Sequence, residues 1–415
     1  MSFAFGSYEK ATEWLYGTQL FGVKLGLDNM RRLFAALDLP AKGQRFIHVA
    51  GTNGKGSVCA MADGLLQAAG WRSGLFTSPH LVGFCERMRV NGLRIPEAEV
   101  ATRLAGIREE TAGWEPHPTF FELTLALALD WFRDAGAEVV VLETGMGGRL
   151  DATNAVTPAV SVIAPIALDH QKWLGDSIAA IAREKAGILK PGVPAVSAAQ
   201  LPEAEAVLRE TAESTGAPLA FIGRDDLAEV ANVRLGLEGP HQIENAALAL
   251  AAVRATGIAL DRGDWASALE GVRWRARFER ALGGRLIIDA AHNAHGAAAL
   301  AEAWKAAFGI EKARLIFGAV ADKPHAAMLQ ALAPIASEIV YVPANSPRAV
   351  TPERLAAEAH PDPAIPFRVE PCLQAALGNA LAKDDGKRCL IAGSLFLAGE
   401  AISILEDMHF ETSAQ

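Results

Sequence analysis

Short apolar runs alternate with helical stretches along almost the whole chain. The runs are rich in Val, Ile and Leu and lack polar alternation, which is typical of strands buried on both faces of a parallel sheet. The pattern predicts strands at residues 45–50, 74–77, 138–143 and 160–165, and helices at residues 54–69, 121–135 and 178–189. Because strands and helices alternate, we predict an α/β fold.

The strand and helix pattern restarts after the sequence ALGG interrupts it near residue 280. Further strands are predicted at residues 286–289, 314–318, 338–342 and 388–392, with a helix from about residue 295. The Pro-rich segment 360–366 is predicted to be a surface loop. We therefore expect a larger N-terminal domain over residues 1–280 and a smaller, Rossmann-like α/β domain over residues 281–415.

Composition and charge exclude several classes of protein. The chain has 415 residues, of which 51% are hydrophobic and 21% charged, as in globular proteins with a sizeable core. Its net charge of −9 argues against nonspecific nucleic-acid binding. The most apolar stretch, residues 246–253, is too short to span a bilayer, and no signal peptide is evident. We expect a cytoplasmic protein with reduced cysteines, because its four cysteines form no CxxC pair.

The strongest chemical signal is the sequence GTNGKGS at residues 51–57. It follows a predicted strand and begins a predicted helix, which is the setting of a phosphate loop. Glycines let backbone N–H groups approach phosphate oxygens, and the lysine adds a positive charge. The loop is shorter than the common phosphate loop, and its serine lies two places after the lysine instead of one. The predicted nucleotide-binding residues of this loop are Thr52, Asn53, Gly54, Lys55, Gly56 and Ser57.

Three further polar residues lie at or near the ends of strands and helices predicted in the N-terminal domain. Glu143 ends the apolar strand VVVLE, where a carboxylate beside a phosphate loop is a natural Mg²⁺ ligand. His170, after the strand at residues 160–165, either completes such a site or is structural. Lys185 lies late in a predicted helix, and from the residues alone it is best interpreted as part of a solvated face.

The second domain carries its own polar cluster, the sequence DAAHN at residues 289–293. It follows the first predicted strand of that domain, and ligands of open α/β sheets bind beyond the carboxyl ends of strands. A capping loop is the alternative interpretation. Arg273, Arg275 and Arg277 lie near the domain junction, where they either meet phosphate or belong to a solvated linker.

Nine motifs together resemble one known family. In chain order they are GTNGKGS, TSPHL (77–81), ETGMGGRLDATN (143–154), LDHQ (168–171), EKAGILK (184–190), HQIENAALAL (241–250), DAAHN (289–293), GAVADK (318–323) and GSLFLAGE (393–400). The sequence resembles the folylpolyglutamate synthase/dihydrofolate synthase family, a branch of the Mur ligase superfamily, from about residue 8 to 405. The resemblance implies an N-terminal P-loop ATPase domain with a parallel-rich sheet, joined to a smaller Rossmann-like domain. The shortened phosphate loop is the form this superfamily uses.

The resemblance also implies ATP as a substrate, bound between the two domains with two Mg²⁺ ions. Matched motif by motif, Ser78, Glu143 and His170 are Mg²⁺ ligands. Lys185 matches a carbamylated lysine that helps to hold the second ion, which reverses the interpretation of Lys185 from the residues alone. The residues expected to act in catalysis are Lys55, His170 and Lys185.

The remaining implied roles concern the nucleotide and the pterin. The positions matching ATP contacts outside the loop are Asn245, Arg277, Asp289 and His292. The positions matching the pterin site are Thr119, Phe120, Phe121, Arg149 and Asp151. Residues 21–29 are assigned to the pterin-facing loop. One departure is the sequence Arg-Ala-Arg at residues 275–277, where the family usually has Pro-Gly-Arg.

The activity implied is an ATP-dependent amide ligation. L-Glutamate is added to 7,8-dihydropteroate, to (tetrahydro)folate polyglutamates, or to both, through an acyl phosphate, with release of ADP and phosphate. Small molecules are then the partners, and we expect a monomer that binds neither nucleic acid nor membrane.

Three other classes of enzyme or switch compete with the folate ligase. The first is a Mur-type ligase acting on a UDP-linked cell-wall precursor, which the folate-type motif GGRLDATN disfavours. The second is a regulatory P-loop NTPase, but no guanine-specific NKxD motif is evident. The third is a small-molecule kinase, which would not depend on an amino acid.

Overall fold

The computed structural model describes residues 5–21, 26–383 and 385–411. Residues 22–25 of the segment assigned to the pterin-facing loop therefore lie outside the described residues. No helix in the described part of the chain is both long enough and apolar enough to cross a bilayer.

Strands in the described residues form two sheets. The strands β1 to β14 are Arg45–Ala50, Ser73–Phe76, Met88–Val90, Leu93–Arg94, Val139–Glu143, Val160–Ile163, Ala195–Ser197, Leu219–Phe221, Glu279–Ala281, Leu286–Ile288, Ala313–Phe317, Ala336–Tyr341, Phe367–Val369 and Cys389–Ala392. The first sheet has the order β4-β3-β2-β5-β1-β6-β7-β8, and the second has the order β13-β12-β11-β14-β10-β9.

Helices cover both faces of these sheets. The α-helices α1 to α16 are Tyr8–Gly17, Asp28–Leu37, Lys55–Ala68, Glu97–Glu110, Phe120–Asp134, Gln171–Leu174, Ile178–Ala186, Pro202–Thr215, Arg224–Val230, His241–Ala255, Arg262–Gly271, Ala294–Phe308, His325–Leu332, Pro352–Ala359, Leu373–Leu381 and Leu395–Glu406. Short 3₁₀ helices occupy Thr18–Phe21, Phe84–Arg87, Ala152–Ala155, Leu282–Gly284 and Ala333–Ile335.

The predicted α/β fold is confirmed. In the first sheet, the neighbouring strands β2, β5, β1, β6, β7 and β8 pair in parallel. Strands β3 and β4 add an antiparallel edge. In the second sheet only the pair β9–β10 is antiparallel. The predicted strands coincide with β1, β2, β5, β6, β10, β11, β12 and β14 within about three residues at either end. Segment 360–366 is a loop, as predicted.

The helix predicted at residues 178–189 ends earlier than its sequence pattern suggested. Helix α7 ends at Ala186, and Gly187 is its C-cap. A Cβ atom at Gly187 would lie 2.3 Å from Cβ of Arg149, so this close crossing requires glycine. The early end brings Lys185 into the last turn of the helix, facing the protein interior.

The C-terminal segment runs from the second sheet's helices back to the first part of the chain. The backbone N–H of Glu411 donates to the carbonyl oxygen of Val82 over 2.8 Å. Its carboxylate accepts hydrogen bonds from the hydroxyl of Tyr8 and the N–H of Phe84, both at 3.0 Å. The two parts of the chain are thus joined by this contact as well as by the peptide between α11 and β9.

Arg314 in β11 is a buried cation whose contribution to the stability of the second sheet can be tested. Its side chain is 1% exposed and forms ion pairs with Glu338 and, at 2.7 Å, with Asp385. Burial alone would raise the pKa of Glu338, but Arg314 outweighs that effect and lowers it. Arg314→Met should reduce the free energy of unfolding at pH 7 by roughly 3 kcal/mol, because it removes the buried cation that pairs with the partly buried Glu338. Urea titration would measure this loss.

Lys383→Met is the matched control, since its exposed ammonium lies 3.4 Å from the same carboxylate. It should cost less than about 1 kcal/mol. Because Glu338 has a lowered folded-state pKa, its contribution is present at neutral pH and is lost as the pH falls. The Arg314→Met effect should therefore shrink below about pH 4. Equal losses for both variants would contradict a specific role for the buried pair.

Candidate active site

The phosphate loop is shaped by close packing around its glycines. Gly51 has φ of 156° and Gly54 has φ of 85°, and Gly54 caps helix α3. A Cβ atom at Gly51 would lie 2.6 Å from Cβ of Ala164. At Gly54 it would lie 2.5 Å from Oδ1 of Asn245. The loop therefore keeps its shape because neighbouring elements approach where side chains are missing.

Thr52 fixes the phosphate loop to the segment after β6. Its hydroxyl donates to the carbonyl of Ala167 over 3.0 Å and accepts from the N–H of the same residue over 3.1 Å. The N–H groups of Thr52 and Asn53 donate to the carbonyl of Pro165. Nζ of Lys55 lies 3.4 Å from the carbonyl of Thr52, at the start of α3. Hydrogen bonds thus hold the phosphate loop against the segment that leads to His170.

Glu143 and Ser78 lie together at the carboxyl ends of neighbouring strands β5 and β2. The N–H of Ser78 donates to Oε2 of Glu143 over 3.0 Å. Glu143 is 6% exposed, and burial raises its pKa while Lys55 opposes the shift. The hydroxyls of Ser57, Ser78 and Thr144 are buried without a hydrogen-bond partner among the described residues. Such orphaned oxygens suit a hard cation or phosphate.

This donor set fits Mg²⁺ of the kind that keeps several non-protein ligands. Within the described residues, no three His, Cys, Asp or Glu side chains converge as a metal cage. Mg²⁺ is commonly held by one or two protein oxygens, with waters and substrate phosphates completing its shell. A buried carboxylate beside an unpartnered hydroxyl meets that requirement.

Lys185 is buried, contrary to the interpretation drawn from the residues alone. Only 4% of it is exposed, and its Nζ donates to the carbonyl of Gly51 over 2.7 Å. Burial, helped by the nearby charge of Lys55, lowers the pKa of Lys185 to about 7. A large share of this amine is therefore neutral at physiological pH. The solvated-face alternative is wrong for Lys185.

His170 occupies an unusual backbone conformation at the start of helix α6. Its φ of 50° and ψ of 34° place it in the left-handed region, which is strained for a residue with a side chain. Although the residue is exposed, loss of solvent on the side facing the protein lowers its pKa to about 4, and Lys323 adds to the shift. The imidazole is therefore neutral at pH 7 and able to offer a lone pair.

The neighbouring Asp169 connects the two domains. Its Oδ1 lies 2.5 Å from Nζ of Lys323, and its Oδ2 accepts from Nδ2 of Asn293 over 3.0 Å. Nε2 of His292 lies 3.5 Å from Oδ2. Burial alone would raise the pKa of Asp169, but His292 and Lys323 together lower it well below its ordinary value. An anionic Asp169 thus faces cationic and amide groups of the second domain.

Asn53 of the phosphate loop also reaches the second domain. Its side-chain amide exchanges two hydrogen bonds with that of Asn293, at 3.0 and 3.2 Å. Nδ2 of Asn53 also lies 2.9 Å from Nδ1 of His295. The predicted phosphate-binding residue Asn53 is therefore engaged with α12 at its start.

The other predicted nucleotide positions surround the same junction. The carboxylate of Asp289 accepts from the N–H groups of Phe278 and Ala291, both at 2.8 Å. Burial raises the pKa of Asp289, and the charge of Arg277 opposes the shift. The residues on either side of Arg277, Ala276 and Phe278, have φ of 54° and 50°. A left-handed Ala276 gives a physical reason why the family uses glycine at this position.

Three of the predicted pterin residues have structural roles. Thr119 caps α5, exchanging hydrogen bonds with Glu122 in a capping box. Phe120 is buried and stacks on Tyr16, with ring centroids 5.5 Å apart. Phe121 is half-buried, and a Cβ atom at Gly145 would lie 2.8 Å from its ring. Pterin binding by these residues stays a prediction.

The other two pterin residues organise the loop after Glu143. Asp151 is buried and accepts hydrogen bonds from the N–H groups of Met146 and Thr153 at 2.9 and 3.0 Å. Arg149 is exposed and pairs with Glu184 at 2.8 Å. Asp151 therefore sets the course of residues 146–153, and its role towards a ligand stays a prediction.

A cleft between the two domains lies beside Glu143 and Ser78. Arg89, Trp274 and Arg277 line its other side. Trp274 covers the start of α3, since a Cβ atom at Gly56 would lie 2.9 Å from its Nε1. The cleft is thus lined by a carboxylate and a hydroxyl on one side and by guanidinium groups on the other.

Comparison with known proteins agrees with this architecture. Residues 49–231 match the family model of the Mur ligase middle domain, and residues 275–395 match that of the Mur ligase glutamate ligase domain. The dihydrofolate synthase/folylpolyglutamate synthase of Bacillus subtilis (strain 168) is 36% identical over 376 residues, covering 83% of this chain and 87% of the relative. The chain belongs to the folylpolyglutamate synthase/dihydrofolate synthase family of Mur ligases.

Solved structures of this family share the whole fold. A Mycobacterium tuberculosis folylpolyglutamate synthase complexed with ADP matches with a TM-score of 0.86 and 32% identity, covering 96% of this chain and 98% of that one. An Escherichia coli FolC in complex with DHPP and ADP matches with a TM-score of 0.85 and 31% identity, over the same shares. The sequence-based assignment to the folylpolyglutamate synthase/dihydrofolate synthase family is therefore confirmed.

Sequence reasoning assigned no individual role to Asp169, Asn293 or Lys323. Each lies within a motif that the family resemblance used, LDHQ, DAAHN and GAVADK respectively. The signal was therefore present, but the pairing joins positions 154 and 124 residues apart in the chain. Only the structure brings these side chains together.

Gly54 gives a test of the packing around the phosphate loop. Gly54→Ala should destabilise the protein by more than the roughly 1–2 kcal/mol that left-handed alanine costs, because its methyl also displaces Asn245. Gly70→Ala is the matched control, since Gly70 has φ of 79° and nothing within 4 Å of the added atom. Denaturant titration of both variants measures the difference.

A double-mutant cycle with Asn245→Ala separates the clash from the backbone strain. Removing the Asn245 side chain should recover most of the excess cost of Gly54→Ala and none of the cost of Gly70→Ala. If Gly54→Ala and Gly70→Ala cost the same, the close approach of Asn245 does not constrain the loop.

Proposed function

We propose that this protein joins L-glutamate to the carboxyl group of 7,8-dihydropteroate and of (tetrahydro)folate polyglutamates, converting ATP to ADP and phosphate. The observation that carries the proposal is the convergence of two domains on one cleft. A phosphate loop, a buried Glu143–Ser78 pair and Lys185 come from the first domain. His292, Asn293 and Lys323 come from the second. Relatives named for this activity, with ADP in their crystal structures, support it.

The chemistry requires ATP because a free carboxylate is a poor acylating agent. In the first step an oxygen of the folate carboxylate attacks the γ-phosphorus. The bond between this phosphorus and the β,γ-bridging oxygen breaks, and ADP leaves with that oxygen and the electron pair. The product is an acyl phosphate. In the second step the amine of L-glutamate attacks the acyl carbon, phosphate leaves, and one amine proton is lost. The amide and phosphate are the products.

Phosphoryl transfer depends mainly on positioning and charge. Lys55 and the N–H groups at the start of α3 would hold the β- and γ-phosphates. Asn245, Arg277, Asp289 and His292 surround the junction where the rest of the nucleotide would lie. Closure of the second domain on the phosphate loop excludes water, which protects the acyl phosphate from hydrolysis.

Two Mg²⁺ ions would neutralise the triphosphate and orient its γ-phosphate when bound. Ser78 and Glu143 are the proposed ligands of one ion. His170 and Lys185 are the proposed ligands of the other. His170 suits this role because its imidazole is neutral at pH 7, with a pKa of about 4.

Lys185 is proposed to act as a carbamate. The neutral amine attacks the carbon of CO₂ and loses one proton, which converts a buried cation into an anionic oxygen ligand. Burial of its side chain and its pKa of about 7 favour this reaction, because the unprotonated amine is the nucleophile. Carboxylate-like oxygens are the ligands that Mg²⁺ prefers.

The function is tested by measuring Mg²⁺-dependent phosphate release from ATP with L-glutamate, and by determining the masses of the products. We expect glutamylated product from both 7,8-dihydropteroate and tetrahydrofolate. Product from one acceptor alone would assign a single activity. If product formed only from a UDP-linked precursor, the chain would be a cell-wall ligase. Hydrolysis that responds to no acceptor would instead favour a regulatory NTPase. A monomer acting in the cytoplasm stays a prediction.

The carbamate is tested with Lys185→Ala. We expect about a 10³-fold loss of kcat, the scale of losing a group that stabilises the transition state by several kcal/mol. The wild-type protein should lose activity in CO₂-depleted buffer and regain it with bicarbonate, and labelled bicarbonate should give a carbamate signal in NMR.

Lys190→Ala serves as the matched control. Lys190 is half-buried near the end of the same segment, and its Nζ lies 3.4 Å from the carbonyl of Asn154. This variant should keep most of the activity and the same dependence on bicarbonate. Unchanged activity in Lys185→Ala would refute the carbamate.

A further inference from the structure

Asn293 uses all of its hydrogen-bonding capacity, and it does so across both domains. It is 0% exposed. Nδ2 donates to Oδ1 of Asn53 and to Oδ2 of Asp169, both at 3.0 Å. Oδ1 accepts from Nδ2 of Asn53 over 3.2 Å and from the N–H of Gly296 over 2.8 Å. A primary amide has two N–H donors and one oxygen with two lone pairs, so no capacity is left.

These partners belong to three separate elements. Asn53 lies in the phosphate loop, and Asp169 directly precedes the proposed metal ligand His170. Gly296 lies in the first turn of α12, which Asn293 caps. Through these bonds, one side chain of the second domain fixes the positions of two loops of the first domain relative to each other and to α12.

We propose that Asn293 is a positioning residue that couples closure of the second domain to the placement of the phosphate loop and of His170. This inference rests on the proposed ligase function. Asn293 would act through Asn53 and Asp169, without touching the reacting atoms. It makes closure depend on a correctly placed phosphate loop, because a displaced loop leaves a buried amide unsatisfied.

The energetics favour a closure that is all or none. Opening the cleft breaks both bonds of the Asn53–Asn293 pair and the charge-assisted bond to Asp169 together. It also separates Asp169 from Lys323 and His292. Groups that form one buried network are lost together, since a partly satisfied network leaves polar atoms unpaired. The two loops are therefore either both held or both released.

A helix cap alone would explain only the bond to Gly296, and this alternative can be separated. Asn293→Asp keeps an N-cap acceptor of comparable quality. It removes both N–H donors and places a carboxylate against Asp169. Asn293→Ser also keeps a capping oxygen but is too short to retain the amide pair. Both variants should preserve the thermal stability of the second domain while changing closure.

The experiment compares wild type, Asn293→Asp and Asn293→Ser in three measurements. Glutamate ligation with ATP and 7,8-dihydropteroate should show about a 10²-fold lower kcat in Asn293→Asp, the scale of misplacing catalytic groups by about 1 Å. ADP affinity by calorimetry should change little, since Lys55 and the loop N–H groups remain. Phosphate released per glutamate ligated should rise above the wild-type ratio, because a poorly closed site admits water.

Small-angle X-ray scattering with Mg²⁺ and ADP supplies a readout that does not need turnover. Asn293→Asp should have a larger radius of gyration than wild type. Asn53→Ala combined with Asn293→Ser should raise the phosphate ratio no further than Asn293→Ser alone, because both changes break one pair.

Wild-type kcat, phosphate ratio and radius of gyration in Asn293→Asp would overturn the proposal and leave Asn293 as a helix cap. If wild-type protein forms no glutamylated product, the ligase function fails, and the scattering comparison still decides whether Asn293 holds the domains closed. A loss of ADP affinity as large as the loss of kcat would also contradict the proposal, since Asn293 would then act on binding.

Discussion

The active site depends on the absence of side chains at three positions of one loop. Gly51 lies against Ala164, Gly54 against Asn245, and Gly56 against Trp274, each closer than a Cβ atom would allow. These contacts bring β6, α10 and the interdomain peptide onto the start of α3. The position of the loop also determines the contact of Lys185, whose Nζ donates to the carbonyl of Gly51.

Charge is arranged around this loop in a way that suits a polyanion. Lys55 and Lys185 lie on the loop's side of the cleft, and Lys323 approaches from the second domain. Burial lowers the pKa values of Lys185 and His170, and the nearby charges of Lys55 and Lys323, respectively, lower them further. Asp169 is the counter-charge that lets Lys323 and His292 come near. Near pH 7 the site thus combines nitrogen atoms that can offer a lone pair, those of Lys185 and His170, with the positive charges of other lysines.

Sequence alone predicted the parallel core of both sheets, because runs such as VVVLE, which ends at Glu143, are typical of strands buried on both faces. It did not predict the antiparallel edge formed by β3 and β4, whose residues show no such run. Motifs located Lys55, Glu143 and the DAAHN cluster, yet chain position could not show that Lys185 is buried. Burial is a property of tertiary packing around α7, such as the close approach of Arg149 to Gly187. Pairings such as Asp169–Lys323 are properties of the tertiary fold.

The contact of Glu411 with Val82, Phe84 and Tyr8 has a mechanical consequence. This contact attaches the end of the chain to the first domain at a place separate from the peptide before β9 and from the Asn293 network. Each separate attachment between two bodies removes ways in which one can move relative to the other. While the Glu411 contact holds, the second domain is therefore more restricted in how it can move away from the phosphate loop than its connecting peptide alone would make it.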